Sequence, residues 1–297
     1  MPFRVAFFGM PIGALLLERD GHDLVYVGIA RDDALGRRRA KRVFGERAFV
    51  RPDPSSPAAV DRLAALRPDL VVSWFWPTKL PRELLAIAPA IGVHPSLLPR
   101  HRGPDPYFWA IDGGDEVTGV TAHLLDATYD TGAILGRSEL RIDPSWNAWD
   151  LAKKLDRPSL VLLRDVVASY ARGDPPKPIA QAEALATMAP AVTEGMLEIR
   201  WTDSAERIAR RIRAAAPWPG AFTDIGGETV VLLAVRETHD FPKALAPAEG
   251  VVRPDGIAVV RAADFALELL AGRAEDDETP LDARALASRL GVRSALA

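Results

Sequence analysis

The first hundred residues alternate between two kinds of segment, and that alternation limits the fold more than any other feature. Short apolar runs at residues 3–8, 24–29, 70–74 and 91–93 are too brief for helices and rich in β-branched and aromatic side chains. Between them, residues 13–19, 58–66 and 81–87 carry helical spacing. A strand without a polar face has to be covered on both sides, so strands alternating with helices predict a parallel sheet with helices on both faces. The predicted fold class is α/β with a Rossmann-like sheet. Chemistry in such folds collects at the carboxyl ends of the strands, and His94 falls just past the end of the fourth.

The first turn, Gly9-Met10-Pro11-Ile12-Gly13, is not a G-x-G-x-x-G fingerprint, and its proline removes a backbone donor that a pyrophosphate needs. No acidic ribose-binding signature follows. A plain strand-to-helix turn is the better reading, which disfavours a nicotinamide-dependent oxidoreductase. Further on, a short strand is expected at residues 133–135, then a helical stretch at 148–170, kinked or split at Pro158. Residues 173–178, Gly-Asp-Pro-Pro-Lys-Pro, read as the start of a linker. Residues 204–215 are amphipathic, with Ala205, Ile208, Ile212 and Ala215 on one face, and end at Pro217-Trp218-Pro219-Gly220. Turn-punctuated runs at 221–225, 229–235, 250–252, 256–260 and 266–270 predict a smaller, OB-like β-barrel. The expected domains span residues 1–185 and 195–297.

Composition decides which classes of function remain. A chain of 297 residues is long enough for two domains. It has no cysteine, which excludes disulfides, thiolate metal sites and a cysteine nucleophile, and no metal site is expected. No run of about 20 apolar residues is present to span a bilayer, and the chain opens directly on a strand, so a cytoplasmic protein with no membrane partner is expected. The net charge of -3 lies wholly beyond residue 194, where 13 Lys and Arg face 16 Asp and Glu. A domain that grips a long nucleic acid is normally basic, and this one is not.

The densest group of chemistry-bearing residues is Ile91-Gly92-Val93-His94-Pro95-Ser96-Leu97-Leu98-Pro99. Arg102-Gly103-Pro104, Trp109-Ala110-Ile111, Gly114-Asp115, Thr118-Gly119-Val120-Thr121-Ala122-His123 and Asp130-Thr131-Gly132 follow. Taken singly, His94 reads as a structural histidine and Asp130 as a turn residue. His123 is either a partner of the reacting groups or a strand residue, and His101 reads as a surface residue. Trp74, Phe75 and Trp76 are either core or the wall of a ligand site. Taken together, the blocks resemble the active-site signature of the folate-dependent formyltransferases. The segment from Arg213 to Ala221 is similar to a stretch in the C-terminal barrel of methionyl-tRNA formyltransferases and their sugar-modifying relatives.

That resemblance implies transfer of a formyl group from 10-formyltetrahydrofolate to an amine, through a tetrahedral intermediate bearing an oxyanion. Such a site needs donors aimed at the oxyanion and a group that takes the amine's proton. By the resemblance, His94 and Asp130 are the catalytic histidine and aspartate. Ser96, Leu97, Leu98 and Pro99 line the folate site, and Asp126 and Tyr129 help hold the pterin ring. Gly92 stands where the family has an asparagine, and losing one such donor costs about 10²–10³ in rate. Three consequences stay open. Ser96, Thr121, His123 or a water supplies the donor. Alternatively the space admits a bulkier acceptor or another reaction, such as hydrolysis of the formyl donor or transfer of a different acyl group. The last is a non-catalytic folate-binding protein. The presence of both His94 and Asp130 favours the first two.

For the acceptor, Gly36-Arg37-Arg38-Arg39-Ala40-Lys41-Arg42 is the one dense basic patch, suited to phosphates or simply a solvated helix face. It sits where the tRNA-modifying relatives carry a basic loop. With the second domain acidic, the favoured partner is a small or nucleotide-linked amine, phosphorylated or not. Methionyl-tRNA is the alternative.

Overall fold

The structure is a computed structural model that describes residues 2–276, 278–290 and 293–295. The expected domain spans also include residues 1, 277, 291, 292, 296 and 297, which lie outside the described residues. The chain divides into two compact units. One holds residues up to 106, 117–141 and 153–190; the other holds 107–116, 142–152 and the residues from 191 onward.

The first unit is built on β1 (Arg4–Gly9), α1 (Pro11–Arg19), β2 (Asp23–Ile29), α2 (Arg37–Phe44), β3 (Ala48–Val50), α3 (Pro57–Leu66), β4 (Leu70–Trp74), α4 (Arg82–Leu85) and β5 (Ala90–His94). After α5 (Pro106–Asp112), which falls to the second unit from residue 107, come β6 (Val117–Leu124), β7 (Ile134–Arg141) and α6 (Ala148–Ala171), which belongs to the first unit from residue 153. The strands order as β3-β2-β1-β4-β5-β6-β7. The apolar runs are buried as the pattern predicts, with Phe7, Phe8 and Leu70 fully so, and Tyr26 stacks on Phe49 at 4.7 Å. The first five strands are parallel, but β6 runs antiparallel to β5, and β7 to β6. The sheet is therefore mixed rather than parallel throughout. Antiparallel neighbours need only a short connection, and residues 125–133 join β6 to β7 without a crossover helix.

Local chemistry accounts for the other departures. Helix α1 starts at Pro11 rather than residue 13, because a proline in the first turn gives up no helical hydrogen bond. The helix expected at 81–87 is shorter, Arg82–Leu85, and Pro89 closes off its continuation. Helix α6 runs unbroken through Pro158. A proline inside a helix costs about 3 kcal/mol. Burial of Leu151, Leu155, Leu163, Val166 and Val167 along one stripe offsets this, at about 1.5–3 kcal/mol per side chain. Asn147 closes the helix start by accepting from the Asp150 amide at 2.8 Å.

Residues 173–178 lack regular structure, but the chain does not leave the first unit there. Ile179 exchanges backbone hydrogen bonds with Ile134 (2.9 and 2.7 Å), and Arg102 donates to the Thr187 carbonyl at 2.9 Å. These unpredicted contacts keep residues up to 190 with the sheet.

The second unit contains α7 (Glu194–Leu197), α8 (Ala205–Ala215), β8 (Ala221–Ile225), β9 (Glu228–Thr238), β10 (Glu249–Val252), β11 (Ala258–Arg261), β12 (Ala266–Ala274), β13 (Pro280–Asp282), α9 (Ala283–Leu290) and β14 (Arg293–Ala295). Ser204 caps α8 by accepting from the Arg207 amide, and Ala205, Ile208, Ile212 and Ala215 are buried as their spacing predicts. The strands form a curled antiparallel sheet, β14-β10-β11-β12-β9-β8, with β13 on β12. Gly226 and Gly227 turn β8 into β9 with φ of 64° and 85°, the conformation a two-residue hairpin demands. Register shifts around Ala271 bend β12 against β9. Among the described residues no helix is long and apolar enough to cross a membrane.

Candidate active site

Strand β5 delivers Gly92 and His94 to one face of the sheet. Their antiparallel partners on β6, His123 and Thr121, point to the same face. The loop after β6 returns at Asp130-Thr131-Gly132. Gly132 is required there because a Cβ would stand 1.8 Å from the Leu124 carbonyl oxygen. Asp130 takes φ of 57°, which aspartate tolerates better than most residues.

These placements bring His94, His123 and Asp130 together. His94 Nδ1 lies 3.5 Å from Asp130 Oδ2, and His123 Nε2 lies 3.7 Å from Asp130 Oδ1. The carboxylate is fixed by the Gly103 amide, which donates to Oδ2 at 2.9 Å. Gly103 has φ of +124°, and a Cβ there would stand 2.6 Å from the Ala189 carbonyl oxygen, so only glycine brings its amide this close.

Each histidine spends one nitrogen on the backbone. His94 Nε2 lies 2.7 Å from the His101 carbonyl, and His123 Nδ1 lies 2.8 Å from that of Leu124. A carbonyl only accepts, so those nitrogens carry the ring protons. Burial holds both pKa values below the usual 6.5, with the Asp130 charge pulling the other way. Two neutral rings therefore turn their lone pairs toward one carboxylate. The arrangement is built to receive a proton or a small cation bearing N–H donors.

His101 is a correction. It is buried rather than on the surface, takes φ of 56°, and supplies the carbonyl that sets the His94 tautomer. Ser96 is fully buried and donates to the Arg100 carbonyl at 2.6 Å, closing the turn. Thr121 donates to the Ser96 carbonyl at 2.7 Å and accepts from the Leu98 amide at 3.1 Å. Both hydroxyls are committed to the turn, and His123 Nε2 is bare in the neutral ring, so none of the three presents a free N–H or O–H in place of the missing side chain. At Gly92, an added Cβ would meet Leu125 Cδ2 at 2.8 Å and His123 Nε2 at 3.4 Å. The space beside the glycine is occupied by the end of the Leu125 side chain.

The residues expected around the folate separate into two groups. Asp126, Tyr129 and Asp130 line a cavity of about 100 Å³ with Trp76, Lys79 and Leu125. Leu97, Leu98 and Pro99 line a different hollow of about 800 Å³, with Ile134, Arg137 and Ile179. In the smaller cavity Asp126 accepts from the Thr128 amide and the Thr131 hydroxyl, and Lys79 Nζ sits 4.5 Å from the Tyr129 ring centre. Trp76 packs its ring on Phe8, and its buried Nε1 finds no acceptor among the described residues. Trp74, by contrast, is core: its Nε1 donates to Ser159 Oγ at 2.7 Å.

Two supporting residues escaped the sequence. Gln181 Nε2 donates to the Asp130 and Gly132 carbonyls, at 2.8 Å each. Its Oε1 accepts from Arg102 Nη2 at 2.7 Å, while Arg102 also pairs with Glu183. Gln181 and Glu183 lie just past the proline-rich stretch, and no local pattern marks them. The basic patch is helix α2, which buries Ala40 and Phe44 and leaves Arg38, Arg39, Lys41 and Arg42 exposed.

The formyl transferase family matches residues 18–167, and the formyl transferase C-terminal domain matches residues 192–290. A methionyl-tRNA formyltransferase from Roseiflexus sp. (strain RS-1) is 37% identical over 276 residues, covering 87% of this chain and 84% of that one. A second, from Anaeromyxobacter dehalogenans (strain 2CP-1 / ATCC BAA-258), is 36% identical over 276 residues, covering 86% and 87%. In fold, the chain resembles a sugar N-formyltransferase from Shewanella sp. FDAARGOS_354 (TM-score 0.63, 16% identity, 78% of this chain and 97% of that one). It also resembles HypX from Aquifex aeolicus in complex with tetrahydrofolic acid (TM-score 0.66, 19% identity, 95% and 46%). The chain belongs to the formyltransferase family.

Proposed function

We propose that this enzyme transfers a formyl group from 10-formyltetrahydrofolate to the primary amine of a small or nucleotide-linked acceptor, with His94 and Asp130 as its catalytic pair. The observation that carries the reading is the convergence of His94 Nδ1 and His123 Nε2 on an Asp130 carboxylate fixed by the Gly103 amide. The cavity beside it fits a pterin edge in chemistry. It offers the unpaired Trp76 Nε1 as a donor, Asp126 as an acceptor and the Tyr129 ring as a face. When bound, the folate supplies the formyl carbon. The residues of the chain do the rest: the His101 carbonyl orients His94 and keeps its ring proton on Nε2, the Asp130 charge stabilises the ring once its bare Nδ1 takes up a proton, and burial excludes water that would hydrolyse the donor. The first unit would carry the chemistry. We assign the second no ligand.

The exposed cations of α2 support an acceptor that carries phosphate. A second reading, methionyl-tRNA as acceptor, is favoured by the name and 37% identity of the Roseiflexus relative. One experiment separates the two. The enzyme is incubated with 10-formyltetrahydrofolate and either methionyl-tRNA or nucleotide-linked amino sugars, and release of tetrahydrofolate is followed. Release with an amino sugar and none with methionyl-tRNA is the expected result. The opposite pattern moves the assignment to tRNA, and equal release with and without amine makes the protein a hydrolase of the formyl donor.

A further inference from the structure

We propose that His123, whose Nε2 faces Asp130 and has no side chain at residue 92 bonded to it, is a second proton-accepting group of this site and takes its proton from an acceptor amine that arrives as an ammonium ion. The substrate half rests on the formyl-transfer reading above; the residue half rests on geometry.

His123 Nδ1 is committed to the Leu124 carbonyl, so a change in protonation can occur only at Nε2. Gly92 lies directly opposite His123 across the β5–β6 pair, and a Cβ at residue 92 would stand 3.4 Å from that Nε2. A longer polar side chain at 92 would cover the nitrogen and bond to it. With glycine there, the other nearest atoms are the end of the Leu125 side chain, a terminus that can turn aside, and the Ser73 carbonyl oxygen. The charged and titratable groups facing His123 are Asp130 and Asp126 from the loop after β6 and His94 from β5, a set of net negative character. An ammonium brings three N–H donors to three acceptors: Asp130, His94 Nδ1 and His123 Nε2. Burial disfavours the charged ammonium as it does the charged imidazole, and the Asp130 charge supports the proton once it is on Nε2.

One N–H bond of the ammonium breaks and an Nε2–H bond forms on His123. The freed lone pair on the amine makes the bond to the formyl carbon, and the bond from that carbon to the folate nitrogen breaks. That nitrogen takes the second proton lost by the amine, and His123 returns its own to solvent.

Two measurements test this. In protein labelled with 15N-histidine, long-range proton–nitrogen NMR at neutral pH should show His123 with a protonated Nδ1 and a bare Nε2. A proton resident on Nε2 overturns the proposal. His123→Gln keeps a polar side chain that cannot take up a proton. It should lower kcat by about 100-fold, in line with loss of a general base, and make the acid limb of the pH–rate profile shallower, leaving only the part that His94 sets. Acceptors are nucleotide-linked amino sugars and methionyl-tRNA, and binding of 10-formyltetrahydrofolate is measured alongside. Full activity with an unchanged acid limb overturns the proposal. No release by the wild-type enzyme with either acceptor fails the formyl-transfer reading and the substrate half with it, while the nitrogen signals still decide the residue half.

Discussion

Asparagine at residue 92 is the change that most directly asks why this chain carries a glycine there. Its Cβ would stand 2.8 Å from Leu125 Cδ2, well inside the ordinary carbon–carbon separation of about 3.5–4.0 Å. Leu125 would have to move by about 1 Å, and overpacking of this kind costs about 1–3 kcal/mol. Leu125→Ala alone removes a half-buried side chain, a loss of about 1–2 kcal/mol and thus below the range for fully buried leucines. Together the two changes relieve each other. The clash disappears, and the amide occupies the space Leu125 vacates, within reach of His123 Nε2. The double variant should therefore be more stable than the sum of the singles predicts by about 1–2 kcal/mol. Urea unfolding of all four proteins at neutral pH measures this, read as midpoints at constant slope. A coupling within about 0.5 kcal/mol of zero, the range found for independent sites, would refute the claim that Leu125 fills the place of the missing side chain.

Three further outcomes follow from the same geometry. Gln181→Ala leaves the Asp130 and Gly132 carbonyls without their donor, at about 1–3 kcal/mol for each buried group. It should lower transfer activity through Asp130, whereas Gln181→Asn should recover part of it; equal loss in both, with unchanged stability, would count against a positioning role. Ser159→Ala strands the buried Trp74 Nε1 and should lower Tm by about 2–4 °C for each kcal/mol lost, and a Tm within error of wild type would show that the hydrogen bond contributes nothing. His94 and His123 hold pKa values depressed below 6.5, so the unfolded chain binds protons first. Their contribution to stability is whole above pH 6.5 and is lost as pH falls from there toward the folded values, which Tm against pH will show as an acid decline that His123→Gln flattens.

The sequence makes plain those parts of the site that depend on one residue's own conformational or chemical limits. Gly132 and Gly103 announce themselves because a Cβ would strike a backbone oxygen at 1.8 Å and 2.6 Å, so the turns that carry Asp130 and its amide donor are written as glycine motifs. His94 is legible because a strand's carboxyl end is where such a fold exposes a side chain. What could not be read depends on partners far along the chain. Nothing local distinguishes β6 and β7 as antiparallel, since the direction of a neighbour leaves no trace in a strand's own apolar pattern. Pro158 looked like a break because its local cost is visible, while the buried stripe that offsets it is a property of the packed sheet. Gln181 sits in a segment whose prolines say only that it is not helical, yet its amide holds the Asp130 backbone. Gly92 belongs to neither group. Its identity is visible at once, but its meaning comes from the opposite strand, where His123 Nε2 has no side chain at residue 92 to bond to it. An absent side chain becomes functional only through what it leaves unbonded, and that is a fact of pairing, fixed when β6 lies against β5 in the register that sets Gly92 beside His123.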